Sequence, residues 1–190
     1  MIIDQIKLIS AVGDYKILPI LILIIAVIIL IHVHSEGDAV FLFLASLSYV
    51  YSLILKCIFK IQRPVTADVT KSFLPCEEYS FPSTHVVFYV VFWGFILYLC
   101  FKLKKIDKLI RVAVGMVCVY LISTIGLSRY LLGQHWISDI YWGYIFGGIY
   151  LLVLILSDKK LGNSSSKDKN KNKKGRKRCN KNESCTQIFN

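Results

Sequence analysis

The sequence has too little polar chain to cover its own oily segments. It is 190 residues long and 55% hydrophobic, with a mean hydropathy of +0.57. A soluble domain averages about 45–50% apolar residues, dispersed along the chain. The shortage argues against a soluble bundle in which each apolar run is one buried helix. A metal-binding cysteine pattern is also lacking. Cys57, Cys100 and Cys118 fall inside apolar runs, Cys76 stands alone in a loop, and Cys179 and Cys185 lie near the C-terminus. This spacing predicts no zinc site and no structural disulfide, and a thiol inside an apolar run acts as a small hydrophobe. No small-x-small cleavage site follows the first apolar run, so that run is expected to stay as an anchor. Nor is there a carboxylate cluster to hold a metal ion; no metal and no cofactor are expected.

What the sequence does have is five apolar runs, at about 17–33, 39–59, 85–101, 110–127 and 140–156. The first reads "ILPILILIIAVIILIHV", uncharged for about the thickness of a bilayer core. The expectation is an all-α, integral-membrane helical bundle with about five transmembrane helices. Ahead of it, Ile2, Ile6, Ile9 and Gly13 share one helical face, which predicts a short interfacial amphipathic helix over 1–14; a frayed terminus is the alternative.

The net charge is +11, and it is unevenly placed. Residues 157–190 carry 11 Lys/Arg against 3 Asp/Glu, a net +8. The stretch "SSSKDKNKNKKGRKRCNKNES" is low-complexity and nearly free of apolar residues, so a disordered tail is expected over 158–190. Beside membrane spans, such a tail is expected to meet anionic lipid headgroups rather than nucleic acid, or to act only as a solvated topology anchor. The loop 102–111 adds Lys102, Lys104, Lys105, Lys108 and Arg111. Five spans put this loop and the tail on one side, and basic residues mark that side as cytoplasmic. Lys7 and Lys16, ahead of the first span, point the other way, but sixteen basic residues outweigh two. The loops 60–84 and 127–139 then face outward or into a lumen. Asn163 and Asn182 open glycosylation sequons, yet lie in the expected cytoplasmic tail.

Three polar clusters interrupt the apolar runs, all at the expected outer face. In "KCIFKIQRP", Lys56 and Arg63 are seven residues apart, which predicts one shared helical face with Pro64 ending the span. A Lys two turns inside a span costs roughly 2.5–3.5 kcal/mol at the worst depth. Snorkelling explains Lys60 better than Lys56. In "SFPSTH", Pro82 suits a first helical turn and leaves the N–H groups of Ser83, Thr84 and His85 at a positive dipole end, an anion site. In "SRYLLGQHWISD", His135 and Asp139 are four apart, so Asp139 can orient the imidazole as a nucleophile, while Arg129 offers a planar fork to phosphate. Each cluster alone has a structural explanation: a snorkelling Lys, an ordinary helix start, a His–Asp cap. Together they supply a nucleophile with its orienter, a second His for proton transfer, and three cations, which is a phosphoryl-transfer site.

These three clusters resemble the signature motifs of the type 2 phosphatidic acid phosphatase family, related to the vanadium haloperoxidases. The family pattern is Lys-x6-Arg-Pro, Pro-Ser-Gly-His and Ser-Arg-x5-His-x3-Asp; this chain has Lys56, Arg63-Pro64, Pro82-Ser83-Thr84-His85, Ser128-Arg129, His135 and Asp139 in register. The resemblance implies that His135 attacks phosphorus, Asp139 holds it, and His85 protonates the leaving oxygen. Lys56, Arg63, Arg129, Ser83 and the N–H of Thr84 would bind phosphate. It also implies a family phosphatase domain over 15–157. Its substrate would be a lipid phosphate or diphosphate: phosphatidate, diacylglycerol pyrophosphate or an isoprenyl diphosphate. The loop 65–81, with Glu77 and Glu78, would carry specificity. Thr84 stands where the family usually has Gly. A β-branched residue is strained at positive φ by about 1–3 kcal/mol but costs little in a first helical turn, and Pro82 favours the latter. The alternative on this residue is a catalytically silent relative that binds lipid phosphate; a small transporter would instead need polar residues along the middle of several spans.

Overall fold

The computed structural model describes residue 24 and residues 36–64 and 76–186, with side chains as far as residue 161. The expected interfacial helix and, apart from helical Ile24, the expected first span lie outside these residues. The described chain is all-helical: α1 (Glu36–Ser46), α2 (Ser48–Phe59), α3 (Thr84–Lys102), α4 (Lys108–Leu131) and α5 (Ile137–Thr186). Among the described residues, four spans are long and apolar enough to cross a membrane: Gly37–Phe59, Thr84–Lys102, Lys108–Leu131 and Ile137–Leu161. The first of these joins α1 and α2 across Leu47, where the Ser46 hydroxyl donates to the Phe43 carbonyl at 2.6 Å. Such back-bonding competes with the helix ladder and bends it.

The helix α3 is the central one. It is apolar on every side, as expected of a fully surrounded helix. Val86, Val87, Val91 and Phe95 are wholly buried. By contrast α4 exposes Leu109, Ile110, Met116, Val117 and Val119. An apolar outer surface of this kind suits lipid, where the backbone groups are already satisfied inside each helix. Small residues set the spacing. A Cβ on Gly147 would meet Val90 Cβ at 3.0 Å and one on Gly143 would meet Val86 Cβ at 3.1 Å, so α5 lies tight against the start of α3. Tyr144 locks α5 to α4: its hydroxyl donates to the Ile122 carbonyl at 2.7 Å and accepts from the Gly126 N–H at 3.3 Å. These two groups would otherwise bond each other in the ladder. The far end is closed by Asp107 capping α4, its carboxylate accepting from the Leu109 N–H at 2.7 Å, and by an ion pair between Lys102 and buried Asp38.

The chain falls into two units, Met1–Ile155 and Leu156–Asn190. The backbone of α5 stays helical to Thr186, where composition predicted a disordered tail.

Candidate active site

The end of the bundle where α2 and α4 stop and α3 and α5 start collects the expected site residues. The helix α2 ends at Phe59, with Lys60 in a left-handed conformation (φ 50°, ψ 36°). Arg63 is therefore not on a helical face shared with Lys56, as the spacing of seven predicted. It reaches the site from the non-helical segment that follows. Lys56 is 1% exposed, and its ammonium donates to the carbonyls of Tyr79 and, at 3.1 Å, Ser80. Two carbonyls offset part of the cost of burying the charge. Arg63 spreads its guanidinium over the Glu77 carbonyl at 2.9 Å, the Glu78 carbonyl at 3.2 Å and the Gln134 side-chain oxygen at 3.2 Å. It thereby ties segment 77–78 to the residue just before His135. Glu77 is anchored from the other side by the Tyr49 hydroxyl.

The α3 helix opens later than Pro82 suggested. Ser83 is the N-cap (φ −68°, ψ 110°) and Thr84 the first helical residue. The Ser83 N–H is committed: it donates to the Asp139 carbonyl at 3.2 Å, joining the starts of α3 and α5. The outward N–H groups at this dipole end are then those from Thr84 onward. Ser83 Oγ is buried without a hydrogen-bond partner among the described residues. Among those residues, non-glycine positive φ occurs at Lys60 and Cys76, not at Thr84. Thr84 is therefore unstrained, and its hydroxyl accepts from buried Ser52 on α2 at 2.9 Å. His85, half-buried, follows in the first turn.

The third cluster departs from its predicted geometry too. Ser128 and Arg129 sit in the last turn of α4 rather than in a loop, both buried. His135 precedes α5, so it and Asp139 do not share a helical face. Their closest approach, Nδ1 to Oδ2, is 3.6 Å. Asp139 Oδ2 accepts from the Trp136 N–H at 2.9 Å, the carboxylate half of a capping box. The Ser80 hydroxyl lies between: it donates to Asp139 Oδ2 and sits 3.3 Å from His135 Nδ1. Burial is the main cause holding the His135 imidazole below its usual protonation range; the nearby Asp139 carboxylate opposes this, and the charges of Lys56, Arg63 and Arg129 add to it. Printed geometry joins Lys56, Arg63, Ser83, His135 and Asp139 at this end, and the ends of α3 and α4 place Thr84, His85 and Arg129 there. Ser80, Ser52, Gln134 and Tyr49 were missed, because a lone hydroxyl or amide carries no signal in spacing.

A further expectation is overturned. Cys57 and Cys76 form a disulfide, with Cα atoms 5.2 Å apart. The expectation of a membrane thiol and a lone loop cysteine fails because residue 76 lies beside the last turn of α2. Spacing along the sequence does not encode that meeting.

Buried cationic side chains beside a buried imidazole, at one end of an apolar helical bundle, fit a class: a membrane phosphatase. A sequence model of the PAP2 superfamily matches residues 20–162, and the chain belongs to that superfamily. Among solved structures, the fold is similar to the crystal structure of a transmembrane PAP2-type phosphatidylglycerolphosphate phosphatase from Bacillus subtilis. The TM-score is 0.69 at 22% identity, covering 84% of this chain and 77% of that one. No curated protein matches the chain significantly.

Proposed function

We propose that this protein is a metal-independent membrane lipid phosphatase that removes phosphate from a lipid phosphate or diphosphate through a phosphohistidine at His135. The observation that carries the reading is the buried His135 ring, tied at Nδ1 to Ser80 and kept neutral beside three cations. In the first step the Nε2 lone pair attacks phosphorus, the bond to the lipid oxygen breaks, and His85 gives that oxygen its proton. In the second, His85 takes a proton from water, the hydroxide oxygen attacks phosphorus, and the P–N bond breaks to release phosphate. Lys56, Arg63 and Arg129 supply positive charge to the phosphoryl oxygens, joined by Ser83 Oγ and the Thr84 N–H. The unstrained backbone at Thr84 favours an active enzyme over a silent, phosphate-binding relative.

Substrates of this chemistry include phosphatidate, diacylglycerol pyrophosphate and isoprenyl diphosphates. The structurally similar phosphatase from Bacillus subtilis adds phosphatidylglycerolphosphate to that set. By the distribution of basic residues, the site faces away from the cytoplasm, and the basic tail lies on the cytoplasmic side against anionic headgroups. The test is phosphate release by purified protein from each of these lipids in EDTA, alongside acid-labile phosphoenzyme trapping. Turnover in chelator, with His135→Ala inactive and unlabelled, is expected. Activity lost in EDTA and restored by magnesium, or wild-type turnover by His135→Ala, would overturn the mechanism.

A further inference from the structure

We propose that Ser80 is the positioning residue of the nucleophile: its hydroxyl stands between His135 and Asp139 and selects the imidazole tautomer that leaves Nε2 free to attack. This rests on the reading of His135 as nucleophile. The direct His135–Asp139 approach of 3.6 Å lies beyond ordinary N–H···O range. The Ser80 Oγ is within reach of both, and Ser80 is wholly buried. A hydroxyl has one proton to give and two lone pairs. An ionised carboxylate can only accept, so the Ser80 proton goes to Asp139 Oδ2. Toward His135, Ser80 Oγ can then only accept, and the proton must sit on Nδ1. The neutral ring has a single N–H, which leaves the lone pair on Nε2. Asp139 therefore acts on the nucleophile through Ser80.

The hydroxyl is itself rigidly placed. The Ser80 N–H donates to the Ile61 carbonyl at 2.7 Å, and its carbonyl accepts from Lys56 Nζ at 3.1 Å. One residue thus links a phosphate-binding cation to the nucleophile. Filling a Lys56 or Arg63 subsite with phosphate and orienting His135 share the segment 77–80 as a common support.

The experiment uses full-length protein labelled with 15N-histidine, with the His135 signals assigned by difference against His135→Gln. In the wild type, His135 should show a protonated Nδ1 and an unprotonated Nε2. In Ser80→Ala the Nε2–H tautomer should appear. With phosphatidate and farnesyl diphosphate as probes, Ser80→Ala should lower kcat by about 10- to 100-fold, which is about 1.4–2.7 kcal/mol of barrier. KM, and inhibition by inorganic phosphate, should stay within about threefold, showing an intact site. Ser80→Thr, which keeps the hydroxyl, should recover most of the loss, and Ser80→Ala should add little to Asp139→Asn, because both act through one chain. An unchanged tautomer in Ser80→Ala, or losses that simply add to those of Asp139→Asn, would overturn the proposal while His135→Ala stays inactive. Turnover by His135→Ala would instead remove the nucleophile reading, and this proposal with it.

Discussion

Replacing Thr84 by Gly separates what the side chain does from what the backbone does. The side chain accepts a hydrogen bond from Ser52 on α2 at 2.9 Å, in a place where both residues are buried. Thr84→Gly leaves that serine donor without a partner, at a cost of about 1–3 kcal/mol. Glycine in the first helical turn adds roughly 0.5–1 kcal/mol of backbone entropy. Stability should therefore fall by about 1.5–4 kcal/mol, a drop of many degrees in thermal unfolding of the detergent-solubilised protein. The phosphate site loses little, because its contact with residue 84 is an N–H that glycine also has. Turnover below the unfolding temperature should change by less than about tenfold, or ~1.4 kcal/mol of barrier. Thr84→Ser should keep both. Adding Ser52→Ala to Thr84→Gly should recover stability, since the stranded donor is gone. A rise in turnover of several orders of magnitude in Thr84→Gly would refute the reasoning: the native threonine would then be blocking the site, and the chain would be a silent relative. Unchanged stability would mean the Ser52 bond carries nothing.

Further outcomes follow from the same geometry. The Cys57–Cys76 bridge closes a separation of 19 residues, worth about 3 kcal/mol by loop entropy. Reductant should lower the thermal stability of the wild type and leave the Cys57→Ser/Cys76→Ser variant unmoved; equal melting with and without reductant would discard that role. If the tail is cytoplasmic, an impermeant maleimide added to intact cells should miss Cys179 and Cys185. It should reach the Cys57–Cys76 pair only after an impermeant reductant; tail labelling in intact cells reverses the orientation. His135 is buried in its neutral form, and its folded pKa lies below its unfolded value of about 6.5. The unfolded chain therefore binds the proton more readily, so this contribution to stability is present above about pH 6.5 and is lost as pH falls below it. His135→Gln should flatten the acid side of a melting-temperature profile, and a slope unchanged by the substitution would contradict the burial argument.

The sequence by itself determined the membrane bundle, the family, and the residues that the fold gathers at one end of the bundle. Long apolar runs state their own solvent, because an uncharged stretch of about 20 residues matches the bilayer whatever its neighbours do. Ionisable residues such as Lys56, Arg129 and Asp139 stand out against such runs because burying them is costly. The tertiary structure alone decided how those residues meet. Arg63 lies about one turn past the end of the helix because Lys60 turned the chain, and the Cys57–Cys76 bridge depends on a meeting that only the folded backbone makes. Ser80 is an ordinary hydroxyl in the sequence. Two chain segments 55 residues apart must pack before it stands beside His135. Periodicity reads contacts along one helix, whereas this site is assembled from the ends of four, where caps and turns break the period and packing sets the distances.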